Sequence, residues 1–183
     1  MRIAISGSHR TGKSTLLAEL SGLLPDHATV DEPYHSLEEE GHEFSHPPSV
    51  EDFEAMIERS LVDLEESDDD VLFDRCPLDA LAYLVVHPDA EDFDFEDSLA
   101  RVREALERID LLVFVPIEAR DRIAVSAADD EGSMRESVDE KLREILIDDA
   151  WQLGVEVIEV SGDVEARART VASWVRRASR SSG

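Results

Sequence analysis

One stretch constrains this chain more than any other. Gly7-Ser8-His9-Arg10-Thr11-Gly12-Lys13-Ser14 matches the spacing G-x-x-x-x-G-K-[ST] in full. Its flanks are those the motif requires. Arg2 to Ser6 reads as a buried strand, and Lys13 to about Leu23 reads as a helix closed near Gly22 and Pro25. Gly7 and Gly12 let the backbone turn tightly, so that successive N–H groups aim at one point. The helix N-terminus adds a dipole that favours an anion. A lysine in such a turn is costly to bury without a negative partner. Residues 7–15, including His9, Arg10, Thr11 and Thr15, therefore read as a cradle for the phosphates of a nucleoside triphosphate. Lys13 would reach the β- and γ-phosphates, and the Ser14 hydroxyl would ligate the Mg²⁺ that the triphosphate brings.

Downstream, short apolar runs alternate with helix-period segments, the pattern of a parallel sheet with helical crossovers. Strands are expected at Ala28 to Asp31, Val71 to Asp74, Leu111 to Val115 and Val155 to Val160. Residues 32–49, with Pro33, Gly41, Pro47 and Pro48, read as a loop. A helix follows with Ser49 as N-cap and Phe53, Ile57, Leu61 and Leu64 on one face. Further helices are expected over Leu78 to Val86, along the stripe Phe95, Leu99, Val102, Leu106 and Ile109, from Val138, and after Asp163 as a cap. Residues 117–136 are polar and read as a lid. The expectation is a single three-layer α/β domain spanning residues 1–183 with right-handed crossovers.

Composition bears on partners and compartment. Eighteen Lys and Arg against forty-four Asp and Glu give a net charge of −26. Such a surface repels phosphate backbones at long range, so nucleic acid is not expected as the main partner. Residues 31–70 hold sixteen acidic side chains and one basic one, Arg59, whereas the last twenty residues hold five arginines. Lys13 and Lys141 are the chain's two lysines. This balance suits a high-salt cytoplasm, which would screen the self-repulsion, and equally an Arg-biased genome with ordinary acidic faces. The apolar runs are too short to span a bilayer. A lone cysteine, Cys76, and an N-terminus with no apolar leader point to a reducing, cytoplasmic setting and no membrane partner.

Four segments in order, Ile5 through Thr15, Asp31-Glu32-Pro33-Tyr34, Leu72-Phe73-Asp74-Arg75 and Asp129 to Arg135, resemble the P-loop nucleoside and nucleotide kinases. The likeness is nearest to the ribosylnicotinamide kinases, with thymidylate and deoxynucleoside kinases further off. It implies a five-stranded parallel sheet of order 2-3-1-4-5, helices on both faces, a small lid at about 117–136, and ATP with Mg²⁺ as cofactors. It implies that Glu32 takes the proton of the acceptor hydroxyl and that Asp74 holds the Mg²⁺ shell. Arg75 would contact the acceptor, and Arg120, Arg122 or Arg135 would cover the transferring phosphoryl group, with Arg143 a further candidate. Gly162, after the fifth strand, would lie in the loop that touches adenine. Such kinases commonly dimerise, so a homodimer is one assembly open to the chain.

Each residue also has a plainer reading. Glu32 before Pro33 could be a solvated turn residue, Arg75 a structural ion-pair partner, and Cys76 a small packed residue or a low-pKa thiol. Tyr34, Phe53 and Tyr83 could stack on an acceptor, but Phe53 and Tyr83 fall on helical faces that suit core packing. His35, His42 and His46 match no established metal-ligand spacing. Two functions follow. One is ATP-dependent phosphoryl transfer to a small nucleoside, nucleotide or related acceptor. The other is a regulatory, partner-coupled NTPase with slow hydrolysis and no acceptor, its acidic 31–70 region facing a basic partner.

Overall fold

In the computed structural model, residues 1–118 and 130–181 are described, with side chains from 134 to 180 in the second stretch. β1 (Arg2–Ser6) leads through the motif into α1 (Lys13–Leu23), then β2 (Ala28–Val30), α2 (Pro33–Glu39), α3 (Val50–Glu66) and β3 (Val71–Asp74). There follow α4 (Pro77–Val86), α5 (Phe95–Leu106), β4 (Leu111–Phe114), α6 (Asp130–Leu146), β5 (Val157–Glu159) and α7 (Val164–Ser181). The strands form one parallel sheet of order β2-β3-β1-β4-β5, the order expected from the resemblance.

Alternation along the strands builds two cores, because a parallel sheet is covered on both faces. Ala4, Val71, Phe73, Leu112 and Phe114 face α3, α4, α5 and α6, where Phe53, Leu81, Val102 and Leu142 meet them. Ile3, Ile5, Leu72, Leu111 and Val113 face α1 and α7, against Leu16, Leu20, Ala168 and Val171. Strand β1 lies between β3 and β4, with Ile5 beside Asp74 and Ser6 beside Phe114. The carboxyl ends of these three strands therefore open at one edge of the sheet, where parallel α/β folds place their ligands.

Several local expectations hold. Ser49 caps α3 in a reciprocal box with Asp52: the Asp52 N–H donates to Ser49 Oγ at 3.3 Å, and the Ser49 N–H to Asp52 Oδ2 at 2.8 Å. Asp163 accepts from the Ala166 N–H at 2.7 Å at the start of α7. Others need correction. The expected loop 32–49 contains α2, which Pro33 opens at its first position because a proline there loses no helical hydrogen bond. The helix expected from Val138 starts at Asp130, so the last third of the expected lid is helix. Strand β5 is shorter than expected. Among the described residues no helix is long and apolar enough to cross a membrane.

Candidate active site

The loop after β1 is held from behind. Gly7 N–H donates to Asp79 Oδ1 at 2.9 Å, and Ser6 Oγ donates to the same oxygen at 3.0 Å. Asp79 is 1% exposed and is the third residue of α4, where its Oδ2 accepts the Cys76 N–H at 3.1 Å. The loop's five successive carbonyls each meet a cation. Gly7 C=O accepts from Arg75 at 2.8 Å, Ser8 C=O from Lys13 Nζ at 2.7 Å, and His9 C=O from Arg135 Nε at 2.8 Å. Arg10 C=O accepts from Arg135 at 3.4 Å, and Thr11 C=O from Arg167 at 2.8 Å. The Thr11 hydroxyl donates to Ser8 C=O at 3.1 Å. The carbonyls of the loop are thus all engaged by side-chain cations. At the mouth of the loop, Gly12 takes a left-handed conformation (φ 88°) ahead of α1. The first helical bond is Leu16 N–H to Gly12 C=O at 3.0 Å. The N–H groups of Lys13, Ser14 and Thr15 therefore precede the helix's own bonding pattern and can serve an anion.

Lys13 is 4% exposed. Burial, and after it the Arg75 charge, pull its ammonium down to about 7. His9 falls to about 4 through burial and the charges of Arg135 and Arg75, so its ring is neutral near pH 7. Its Nδ1 and its backbone N–H each lie 3.1 Å from the Tyr83 hydroxyl. Ser14 and Thr15 are exposed at the mouth, as is Arg10.

Across the loop stand the ends of β2 and β3. Arg75 donates from Nε to Glu32 Oε1 at 2.5 Å and lies 3.5 Å from Asp79 Oδ1. Burial alone would raise the Glu32 carboxyl, but Arg75 and then Lys13 hold it below the usual carboxylate range. Burial raises Asp74 above its ordinary value, opposed by the nearby Ser14 hydroxyl. Asp74 is 5% exposed, and its Oδ1 is buried without a partner. A buried carboxylate oxygen left open beside a serine hydroxyl is the donor set that a hard divalent cation with oxygen ligands fits. Among the described residues there is no cluster of three or more His, Cys, Asp or Glu for a metal held by protein alone.

Of the residues expected at the site, the fold brings residues 7–15, Glu32, Asp74, Arg75 and Arg135 together. Arg120 and Arg122 lie outside the described residues. Arg135 is buried and donates to two loop carbonyls, His9 and Arg10. Arg143 points away to Glu159, 2.8 Å off. Gly162 donates its N–H to Glu118 Oε1 at 2.8 Å, and Glu118 also accepts from Arg167 at 2.6 Å. Cys76 is no low-pKa thiol, because burial and then Asp79 push it well above its ordinary value. Phe53 and Tyr83 are core residues stacked at 5.2 Å, although the Tyr83 hydroxyl reaches the loop. His42 is paired with Asp52 at 2.8 Å.

Asp79, Arg167 and Glu118 escaped the sequence reading. Two of them had a signal. Cys76-Pro77-Leu78-Asp79 has the form of a helix start with an acid at its third position. Arg167 interrupts the apolar stripe Val164, Ala168, Val171 and Val175. Nothing local marks Glu118.

A family model described as an AAA domain matches residues 2–167. No curated protein matches the sequence. Solved structures resemble the fold. A deoxyadenosine kinase from M. mycoides with bound dATP has a TM-score of 0.65 at 18% identity, over 96% of this chain and 99% of that one. The thymidylate kinase from Candida albicans has a TM-score of 0.64 at 16% identity, over 97% and 91%. A NadR protein in complex with NR has a TM-score of 0.67 at 18% identity, over 96% of this chain and 48% of that one.

Proposed function

The chain belongs to the AAA domain family, whose model spans residues 2–167, and from that membership and the geometry above we propose an ATP- and Mg²⁺-dependent kinase acting on a small nucleoside, nucleotide or related acceptor. The fold is that of the P-loop nucleoside and nucleotide kinases. The observation that carries the reading is the pairing of an anion cradle with an ionised carboxylate across one cleft: Lys13 at the loop, its Nζ 2.7 Å from the Ser8 carbonyl, and Glu32 held on Arg75 at 2.5 Å.

The roles follow from chemistry. The N–H groups at the start of α1 and the Lys13 ammonium bind the β- and γ-phosphates. Phosphate charge restores the proton that burial disfavours on Lys13. Ser14 and Asp74 would hold Mg²⁺, which neutralises charge on the phosphate oxygens. Glu32, kept ionised by Arg75, accepts the acceptor hydroxyl proton as the new O–P bond forms and the γ-phosphoryl leaves ADP. Arg75 holds Glu32 in place and offers charge to the acceptor. Arg120, Arg122 or Arg135 would cover the transferring phosphoryl group. Gly162, in the loop after β5, would touch the adenine.

The test is ATP turnover across a panel of nucleosides and nucleotides. One or more members should stimulate ADP formation, and Lys13→Ala should abolish triphosphate binding. Hydrolysis indifferent to every member, together with a stable basic partner in a pull-down, would replace the kinase reading with that of a partner-coupled NTPase.

A further inference from the structure

Among the described residues, the cations buried by the fold are Lys13, Arg135 and Arg167. All three donate to carbonyls of the phosphate loop. In a chain of net charge −26 with eighteen Lys and Arg, this concentration is not what packing alone would select. Arg167 is the least expected of them. It sits in the first turn of α7, far along the chain from the loop, on the apolar stripe that seats this helix on the sheet. A leucine or methionine there would fill the space without removing a guanidinium from water.

Its bonds run in two directions. Nη1 donates to Thr11 C=O at 2.8 Å, and Nη2 to Glu118 Oε1 at 2.6 Å. Glu118 follows β4 and also accepts the Gly162 N–H at 2.8 Å, in the loop after β5. A Cβ on Gly12 would meet Arg167 Nη1 at 3.5 Å, so the guanidinium lies directly beneath the turn that opens α1. We propose that Arg167 is a positioning residue of the triphosphate site, fixing the second half of the loop through Thr11 and tying it through Glu118 to the loop after β5. Turning the Thr11 carbonyl inward leaves the neighbouring N–H groups facing out. Because Glu118 balances its charge at 2.6 Å, the guanidinium acts by holding the Thr11 carbonyl in place. Arg167, 4% exposed, would act on the ligand through the loop and not by direct contact. The inference rests on the phosphate-loop reading.

The experiment measures binding of Mg²⁺–tripolyphosphate and of Mg²⁺–ATP by titration calorimetry, using the full chain at a temperature where circular dichroism shows each variant folded. Arg167→Met should weaken both by about tenfold or more, the loss expected of a charge-assisted hydrogen bond. Arg167→Lys should recover part of that loss, because an ammonium can serve Thr11 or Glu118 but not both in the same geometry. A residue that merely seats α7 would lower the melting temperature and leave the affinity of the folded protein intact. Arg167→Met binding tripolyphosphate within about twofold of wild type would overturn the inference and leave the phosphate loop standing. Should Arg167→Met not fold, Arg167→Gln, which keeps an amide donor but no charge, decides by the same twofold margin. Absence of binding by the wild type would instead remove the phosphate-loop reading.

Discussion

Replacing Gly7 by alanine would set a Cβ 2.4 Å from the Val115 carbonyl oxygen, in a backbone conformation of φ 153°. Ordinary contact begins at 3.4 Å, so about 1 Å must be found. Neither side can easily give it. Val115 N–H is bonded to Ser6 C=O at 2.9 Å, and Gly7 is fixed at both ends, its N–H on Asp79 and its C=O under Arg75. Forcing extra volume into such a site costs about 1–3 kcal/mol. A side chain in this region of φ adds about 1–2 kcal/mol. The expected loss is therefore roughly 2–5 kcal/mol out of the ~5–15 kcal/mol usual for a domain. Urea denaturation followed by circular dichroism reads the stability, and calorimetry reads the Mg²⁺–ATP affinity, which should fall with it as the cradle shifts. Gly22→Ala is the control: nothing lies within 4 Å of it in α1, so about 0.5–1 kcal/mol of stabilisation is expected. A Gly7→Ala protein within ~1 kcal/mol of wild type and with unaltered ATP affinity would refute the account of the close approach.

Other substitutions probe the acceptor side and the surface. Glu32→Gln should keep ATP affinity within about twofold but cut acceptor-dependent turnover by roughly 10²–10⁴, and steady-state kinetics showing full turnover would remove its role as base. Asp74→Asn should raise the Mg²⁺ concentration needed for half-maximal ATP turnover by about tenfold, whereas an unchanged Mg²⁺ titration would place the cation elsewhere. Burial would raise Asp52, yet hydrogen bonds from Ser49, His42 and Ser45 bring it down to about 2 from an ordinary 3.8. A carboxyl depressed in the folded state gives stability that is whole above the unfolded value and lost as pH falls toward the folded one. Acid titration of stability should therefore steepen between 3.8 and about 2, and Asp52→Ala should flatten that limb. Raising NaCl from about 0.05 to 2 M should raise the melting temperature, because the screening length shrinks from more than ~10 Å to under ~3 Å around a chain of −26; a flat profile would dissociate the acidic surface from salt.

The parts of the fold set by local rules were legible. The cradle, its strand and its helix lie within twenty-three residues, and the apolar stripes of α3 and α5 face inward as their spacing demands. Strand order came with the kinase resemblance and not from periodicity, which says nothing about neighbours. The start of α6 was obscured because Asp130 and Glu131 read as lid, although acids suit a first helical turn. Helix α2 was hidden among prolines, one of which starts it. On the site side, Lys13, Glu32, Asp74 and Arg75 each end or follow a strand and could be placed by position. Asp79, Arg167 and Glu118 act across 72, 156 and 44 positions of sequence, and only the folded chain brings such distances together. The kinase resemblance pointed to Arg135 near the transferring group, but no local pattern shows that its guanidinium reaches the His9 and Arg10 carbonyls.

The run of engaged carbonyls from Gly7 to Thr11 bears on speed. A segment that must first gather itself around an incoming anion binds slowly, since only a fraction of encounters find it ready. Here the shape is already imposed by Lys13 of the motif itself and by three arginines, Arg75, Arg135 and Arg167, drawn from distant parts of the chain. Diffusion and long-range repulsion by the acidic exterior, rather than rearrangement, then limit capture. Stopped-flow association with a fluorescent nucleotide should be a single phase, linear in ligand concentration and faster as salt is added.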